Sequence, residues 1–292
     1  MPSAFKCIGL FGKYKDPSVR EALAGLTEYL RYRNIDVLLG ETTAEEISDV
    51  HARRVQNGDV SEHIDLGIVI GGDGTMLHVA RSLALHEVPV VGVNMGRLGF
   101  LTDIALKDMY EDIGRILDGE YSTEERIMLY VEVKRGDKVL DSYMALNDMV
   151  IGKGELERLI EIRTFVDGEF VTNARSDGVI IATPTGSTAY ALSAGGPILT
   201  PQLRAMIIVP ICPHTLSNRP IALQDTSVID LTLVDVCEHC AHVSVDGQIK
   251  YHLDGDETVR VRRAARTVTL VRTLEHDHFS VLRAKLGWGE NI

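Results

Sequence analysis

The chain has 292 residues with 45% hydrophobic and 25% charged residues, which is ordinary for a globular protein of about two domains. Its net charge of −12 excludes a broad surface for nucleic acid or anionic membrane, because positive charge attracts both partners. Any anionic ligand must therefore be bound locally, by individual cations and backbone N–H groups.

The N-terminal residues lack a signal-peptide pattern, and no stretch approaches the roughly 18 apolar residues of a membrane span. Four cysteines are too few for a disulfide framework and fit a reducing compartment. We therefore expect a cytoplasmic protein. Cys237, Cys240 and His242 could supply zinc ligands, but a lone Cys-x-x-Cys pair in strand-like sequence does not predict a metal site.

Strand and helix patterns alternate through residues 1–125. The pattern predicts strands at 5–11, 35–39, 66–70 and 88–94, and helices at 19–32, 75–85 and 106–117, with a further short helix beginning at Thr42 and Thr43. This order predicts a parallel sheet with helices on both faces, that is, a Rossmann-like α/β domain.

The strand at 66–70 ends in a glycine-rich turn that carries a single carboxylate, Asp73. Gly71, Gly72 and Gly74 permit close backbone approaches, and open α/β sheets bind phosphate where a strand ends and a helix begins. The alternative is a tight turn without a ligand. The loop 94–103, with two further glycines directly after a strand, is a candidate lining of the same cleft.

Residues 126–272 have a different sequence pattern, in which short runs of alternating apolar and polar residues are separated by turn dipeptides. Such dipeptides at Gly136-Asp137, Asp167-Gly168 and Asp246-Gly247 predict hairpins in a mainly antiparallel β domain. We interpret the arginines at 259–263 as a solvated strand face. Residues 273–292 are a candidate for a return to the first domain.

Residues 176–198 form a second candidate functional segment. It begins with a carboxylate, continues through a predicted buried strand and ends in a turn rich in hydroxyl groups and glycine. Candidate hydroxyl donors are Thr183, Thr185, Ser187, Thr188 and Ser193, and Ser187 or Thr188 could cap a short helix. A solvated Ser/Thr loop is the alternative.

Asn147 and Asp148 interrupt an otherwise apolar strand. A carboxylate such as Asp148 can accept both hydroxyls of a ribose diol, while Asn147 can pair with a base edge or a phosphate-bearing group; a plain turn is the alternative. Arg158 and Arg175 could neutralise ligand phosphates or could contact only solvent. P-loop, G-x-G-x-x-G, H-E-x-x-H and G-x-S-x-G motifs are absent, which leaves other phosphate chemistry.

The turn at 71–75, the Asn147-Asp148 pair and the run 183–197, in this order, resemble the ATP-dependent NAD kinases. Diacylglycerol kinases, sphingosine kinases and phosphofructokinases share the first element, whereas the run 183–197 is much more specific. The resemblance spans essentially the whole chain and implies an α/β domain followed by a β-sandwich-like, NAD-binding domain. One departure is that the family's pair is most often Asn-Glu, so Asp148 reaches one methylene less far.

The resemblance implies transfer of the γ-phosphoryl group of ATP to the 2′-hydroxyl of the adenosine ribose of NAD, with Mg²⁺ or another divalent cation. It implies NAD and ATP as small-molecule partners, no protein metal site, and a homodimer or homotetramer. Asp73 would be the catalytic carboxylate. Substrate-binding residues would be Gly71, Gly72, Gly74, Thr75, His78, Asn147, Asp148, Arg158, Arg175, Asp177, Thr185, Thr188, Ala189, Tyr190, Ala191, Leu192, Ser193 and Gln248.

Two alternatives stay open from the residues alone. One is another kinase of the same superfamily, and the other is a dinucleotide-binding regulator without catalytic activity. The presence of Asp73 beside the binding motifs favours an enzyme.

Overall fold

The computed structural model describes residues 3–12, 16–40, 53–54, 60–96, 98–154, 159–215, 217–234 and 241–288. The chain divides into two compact units: unit 1 comprises Met1–Glu125 and Val268–Ile292, and unit 2 comprises Arg126–Thr267. Within the described ranges, no helix is long and apolar enough to cross a membrane. The helix predicted at Thr42 and Thr43, Arg158, Cys237 and Cys240 lie outside the described residues.

Unit 1 is an α/β structure. Its strands are β1 Cys7–Gly12, β2 Asp36–Leu39, β3 Arg53–Arg54, β4 Leu66–Ile70, β5 Val90–Asn94 and β6 Ile104–Ala105. Its helices are α1 Pro17–Tyr32, α2 Val60–His63, α3 Asp73–Ala84, α4 Met109–Leu117 and, near the end of the chain, α6 His278–Leu286, with a 3-10 turn at Leu106–Asp108. The strands and helices predicted for its described residues are thus confirmed, with bounds shifted by a few residues.

The sheet of unit 1 is parallel, in the strand order β3-β2-β1-β4-β5, and β6 also pairs with β5. Strands β1, β4 and β5 are almost wholly apolar, as expected for strands covered on both faces. The strand order reverses between β1 and β4. Open α/β sheets bind ligands beyond the carboxyl ends of the strands at such a reversal, and β4 ends there at Ile70.

Helix α1 shows why the local sequence folds as it does. The Asp16 carboxylate caps it by accepting from the Ser18 N–H at 3.0 Å, and Pro17 occupies the first turn, where a missing N–H costs nothing. Leu23, Leu26 and Leu30 recur at helical spacing and are fully buried in the core of unit 1.

In the described part of unit 2 the regular secondary structure is almost entirely β-strand. The strands are β7 Ser122–Arg135, which begins in unit 1, β8 Lys138–Ala145, β9 Asp148–Lys153, β10 Ile160–Val166, β11 Glu169–Ser176, β12 Gly178–Ala182, β13 Ala205–Ile211, β14 Ile221–Gln224, β15 Ile229–Leu233, β16 Ala241–Val245, β17 Ile249–Leu253 and β18 Thr258–Arg272, which ends in unit 1. A 3-10 turn at Gly186–Thr188 precedes a short helix, α5 Tyr190–Ser193.

Two antiparallel layers form unit 2. One is the six-stranded sheet β14-β13-β12-β9-β16-β17, and the other contains the pairs β11-β10-β15-β18 and β7-β8. Their apolar faces share one core, for example Ile151 and Val243 from the first layer with Ile162 and Leu231 from the second. The fold is therefore an N-terminal α/β unit followed by an antiparallel β unit, and the predicted fold class is confirmed.

The predicted hairpins are present. Asp167 and Gly168 connect β10 to β11 with φ of 53° and 83°, and Asp246 and Gly247 connect β16 to β17 with φ of 50° and 65°. Two successive positive φ angles define the turn whose twist matches that of the flanking strands, which explains the Asp-Gly pairs.

The arginines of β18 do not form a purely solvated face, so that prediction was wrong in part. Arg260 makes a two-pronged ion pair with Asp230 at 2.7 and 2.9 Å, and Arg263 contacts Asp225 at 2.6 Å. The cause is the pairing of β18 with β15, which places Asp230 opposite Arg260. Sequence alternation alone does not reveal such cross-strand partners.

Candidate functional site

Asp73 is the first residue of α3, directly after the turn that ends β4. The cap residue is Gly72, in extended conformation and without a capping side chain. The carboxylate is half-exposed at a helix N-terminus, where the helix dipole favours negative charge. Of the neighbouring predicted residues, Gly71 and Thr75 are buried, whereas Gly72, Gly74 and His78 are exposed on the same turn and helix.

The loop after β5 orients the Asp73 carboxylate. Oδ2 accepts from the Phe100 N–H at 3.0 Å, while Oδ1 accepts from the Leu101 N–H at 3.1 Å and from the Thr102 hydroxyl at 3.3 Å. A Cβ added to Gly99 would lie 2.1 Å from Asp73 Oδ1, so only glycine leaves room for the carboxylate there. The loop 94–103, which was predicted to line the same cleft as the glycine-rich turn, therefore contacts Asp73 directly.

Unit 2 contains a cavity of about 590 Å³, a size typical of small-molecule sites. Five of the predicted residues line it: Asn147, Asp148, Asp177, Ala189 and Tyr190. The lining is completed by Val150, Gly152, Lys153, Ile211, His242, Ser244, Asp246 and Gly247. Most of the lining side chains are thus polar, with Val150 and Ile211 as the larger apolar contributions.

Strand alternation builds the floor of this cavity. On β9, Asp148, Val150 and Gly152 lie on one face, and β16 continued by Asp246 supplies His242, Ser244 and Asp246 in the same way. The antiparallel register pairs Gly152 with His242 and Val150 with Ser244, and the Asp246 N–H donates to the Asp148 carbonyl at 2.9 Å. Three cross-strand pairs therefore face the cavity together.

Asp148 and Asp246 differ in how they are held. Both side chains are buried, but Asp246 accepts the backbone N–H groups of Leu146, Asn147 and Asp148 at 2.8 to 3.0 Å. Burial, together with the nearby charge of Asp246, raises the pKa of Asp148 to about 7. Asp246 therefore orients the backbone of residues 146–148, and Asp148 is a carboxyl group whose protonation changes near neutral pH.

Lys153 and His242 add cationic and neutral nitrogen groups to the cavity. Lys153 Nζ lies 2.8 Å from Asp177 Oδ1. Burial, with the charges of Lys250 and His252, lowers the pKa of His242, which favours the neutral imidazole at neutral pH. The described residues contain no group of three or more His, Cys, Asp or Glu side chains that could hold a metal ion.

The hydroxyl groups of Thr183 and Ser187 stabilise their own turn and also bind backbone groups outside it. Thr183 Oγ1 donates to the Leu146 carbonyl at 2.6 Å and accepts from the Gly186 N–H at 3.1 Å, while Ser187 Oγ bonds the Pro184 carbonyl and the Leu199 N–H. A Cβ on Gly186 would lie 2.1 Å from the Asn147 carbonyl oxygen, so this glycine lets the turn pack on the Asn147-Asp148 segment. Together these bonds fix Asn147 and Asp148 beside the cavity.

The predicted helix cap at Ser187 or Thr188 was wrong. The cap of α5 is Ala189, without a side-chain hydrogen bond, because Ser187 is committed to Leu199 and the Thr188 hydroxyl donates to the Thr185 carbonyl at 3.2 Å.

The other predicted residues of unit 2 that the structure describes are not part of the cavity lining. Thr185 is buried and accepts from Arg126 at 3.1 Å, Ala191 is buried, and Thr188 and Leu192 are half-buried. Arg175, Ser193 and Gln248 are exposed.

Sequence reasoning missed Lys153, Ile211 and Ser244, and it considered His242 only as a zinc ligand. The one local signal was the alternation of polar residues at His242, Ser244 and Asp246, which places them on one face of a strand. This face lies next to Asp148 because β16 pairs with β9, and these two strands are far apart in the sequence.

Comparison with known proteins agrees with this architecture. Models of the ATP-NAD kinase N-terminal and C-terminal domains match residues 14–121 and 146–273. The NAD kinase of Aromatoleum aromaticum is 45% identical over 99% of this chain and 96% of its own length, and that of Thiobacillus denitrificans is 44% identical over the full length of both.

Solved structures give the same result. Yeast NADH kinase complexed with NADH is 30% identical, with a TM-score of 0.91 over 100% of this chain and 90% of the yeast chain. An NAD kinase from Archaeoglobus fulgidus in complex with ATP has a TM-score of 0.74 over 95% of this chain and 99% of its own, and at 24% identity it supports the fold alone.

The two family models, together with an α/β unit that carries a glycine-rich turn and a β unit that contains a polar cavity, identify the chain as a kinase. More specifically, the chain belongs to the NAD kinase family, whose reaction is the ATP-dependent phosphorylation of NAD to NADP. These matches do not favour a different kinase of the superfamily or a non-catalytic regulator.

Proposed function

We propose that the cavity of unit 2 binds the adenosine part of NAD and that Asp73 of unit 1 acts on its 2′-hydroxyl group. The observation that carries the proposal is the cavity itself, because Asn147, Asp148, Asp177 and Tyr190 converge there. A carboxylate such as Asp148 can accept both hydroxyls of a ribose, an amide can pair with a base edge, and an exposed tyrosine ring offers a stacking surface.

Asp73 would orient the 2′-hydroxyl and accept its proton late in the transfer. Phosphoryl transfer has a loose transition state, so positioning and charge neutralisation matter more than a strong base. The two N–H donors and one hydroxyl donor around the Asp73 carboxylate suit this role, because they fix both oxygens in direction. The proton would pass from the 2′-oxygen to Asp73 as the bond from that oxygen to the γ-phosphorus forms and the bond to ADP breaks.

The proposal includes Mg²⁺ carried by ATP. Mg²⁺ in such sites is usually held by one or two carboxylates together with phosphate oxygens. Phosphate oxygens would supply most of the coordination, and Asp73 is the candidate carboxylate in the glycine-rich turn. The ion would neutralise charge on the transferred group.

Domain roles follow from the same reasoning. Residues 1–125, with 273–292, would form the domain that carries the Gly-Gly-Asp-Gly-Thr turn, and residues 126–272 the NAD-binding domain. We place the remaining predicted contacts, including Arg158, Arg175, Thr185, Thr188, Ser193 and Gln248, along the rest of the dinucleotide.

Cytoplasmic localisation and a homodimeric or homotetrameric state remain predictions. Four cysteines in the chain, with Cys7 and Cys212 present as thiols, fit a reducing compartment. Cell fractionation tests the first prediction, and light scattering coupled to size-exclusion chromatography tests the second.

Steady-state kinetics with NAD, ATP and Mg²⁺ test whether the cavity binds NAD. Asp148→Ala and Tyr190→Ala should raise KM for NAD by about tenfold or more while kcat changes less, because they remove ground-state contacts. The matched control Tyr32→Ala removes a tyrosine that is 86% exposed on α1 and should leave both constants unchanged. Unchanged KM values for both cavity variants would refute the assignment of the cavity to NAD.

A further inference from the structure

Arg272, at the end of β18, is 2% exposed and contacts the loop that orients Asp73. Its NH2 group donates to the Phe100 carbonyl at 3.2 Å, and its NH1 group donates to the Leu101 carbonyl at 3.3 Å. All of these residues belong to unit 1. A buried guanidinium therefore contacts the loop from the side opposite to Asp73.

The two contacts meet in one peptide group. The Phe100 carbonyl and the Leu101 N–H belong to the same planar unit, so Arg272 binds its oxygen while Asp73 accepts from its hydrogen. A charged donor on the carbonyl polarises the peptide and strengthens the N–H as a donor. Arg272 and Asp73 thus fix this peptide from opposite edges.

Two carboxylates hold Arg272 in place. Asp103 Oδ1 lies 2.9 Å from NH1, and Glu124 Oε2 lies 3.5 Å from Nε. The other oxygen of Asp103 lies 2.7 Å from His276 Nδ1. Burial alone would raise the pKa of Asp103. The hydrogen bond from His276 and the charge of Arg272 outweigh burial, so the pKa of Asp103 is lowered and this carboxylate stays ionised.

We propose that Arg272, held by Asp103, is a positioning residue for phosphoryl transfer, because it fixes the Phe100-Leu101 peptide that orients the Asp73 carboxylate. This inference rests on the proposed catalytic role of Asp73. In this proposal Arg272 acts on the reaction only through the loop 100–101.

The first test is the kinetics of Arg272→Gln. We expect kcat to fall by about 10- to 100-fold, as for a small misplacement of a catalytic group, with KM for NAD and ATP changing about twofold or less. Arg260→Gln is the control, since it also removes the ion pairing of a β18 arginine but lies in unit 2, and it should leave kcat unchanged. A rise in KM at normal kcat would overturn the proposal.

The second test is the same substitution in an Asp73→Asn background. If Arg272 acts through Asp73, Arg272→Gln should lower kcat much less there than in the wild type. Equal losses in both backgrounds would show a general structural effect and overturn the inference. Asp73→Asn with normal kcat would instead refute the proposed function, so the two failures are distinguishable.

Circular dichroism and thermal unfolding show whether Arg272→Gln folds. If it does not fold, Arg272→Lys and Asp103→Asn are tested instead, each in the wild-type and in the Asp73→Asn background. The lysine variant keeps the charge without the two-pronged donor, and the asparagine variant keeps Arg272 but removes the charge that anchors it. Both variants should lower kcat strongly in the wild-type background and much less in the Asp73→Asn background. Full activity in both variants would contradict the proposal.

Discussion

Asp246 affects Asp148 in two ways: its carboxylate accepts the Asp148 N–H at 3.0 Å, and its charge adds to the effect of burial in raising the pKa of the Asp148 side chain. The positive φ of 50° at Asp246 turns its carboxylate back onto the backbone of residues 146–148. The geometry that shapes the cavity therefore also determines the charge of a group lining it.

The raised pKa of Asp148 predicts a pH-dependent stability. Between its usual value of 3.8 and about 7, the folded protein binds a proton here that the unfolded chain has released, so stability decreases as pH rises through this window. Asp148→Asn should remove this decrease. We expect the variant to exceed the wild type in free energy of unfolding by an amount on the order of a few kcal/mol at about pH 8, and by little at about pH 4. Urea denaturation at both pH values measures this, and equal differences at both would contradict it.

The same group predicts a pH dependence of substrate binding. Only the ionised carboxylate accepts from both ribose hydroxyls, so KM for NAD should fall as pH rises through about 7. Asp148→Asn should have a higher KM that is nearly independent of pH over this range. Initial rates at saturating ATP provide the measurement, and parallel pH profiles for the two proteins would disprove the link.

Gly99 is predicted to be intolerant of a side chain. Because a Cβ would lie 2.1 Å from Asp73 Oδ1 and 2.4 Å from Thr102 Oγ1, Gly99→Ala should displace the carboxylate and lower kcat by about 100-fold. Gly96→Ala, in the same loop, meets no atom within 4 Å and should have little effect. Similar kcat values for the two variants would show that the position of the carboxylate is not critical.

Thr183 is predicted to stabilise the turn beside the cavity. Thr183→Val keeps the shape but leaves the Gly186 N–H and the Leu146 carbonyl without this partner, at a cost of about 1–3 kcal/mol in free energy of unfolding. Thr172→Val, on the half-buried face of β11, is the control with the same chemical change. Denaturant unfolding compares the two, and an equal cost would argue against a special role for the Thr183 hydroxyl.

Local patterns predicted the elements of this fold because each depends on near neighbours. Asp16, Pro17 and the leucine spacing determine α1, and the Asp-Gly pairs determine two hairpins. The partners of Asp73 and Asp148 could not be predicted in the same way. Phe100 reaches Asp73 through the parallel arrangement of β4 and β5, and Asp246 reaches Asp148 through the pairing of strands almost 100 residues apart.

The sequence likewise shows which hydroxyl groups can donate but not which backbone groups they already serve. Thr183 and Ser187 hydrogen-bond backbone groups of Leu146, Pro184, Gly186 and Leu199. Conversely, Lys153 carries no motif, and only the register of β9 brings it to Asp177.

The most direct test of the account is the turnover of Asp73→Asn, with NADP detected by an NADP-specific dehydrogenase and NAD binding measured by calorimetry. Asparagine keeps the size of the side chain but cannot accept the 2′-hydroxyl proton. We predict that kcat falls by about 100-fold or more while the Kd for NAD changes only modestly. A variant with nearly normal kcat would contradict the central role assigned to Asp73.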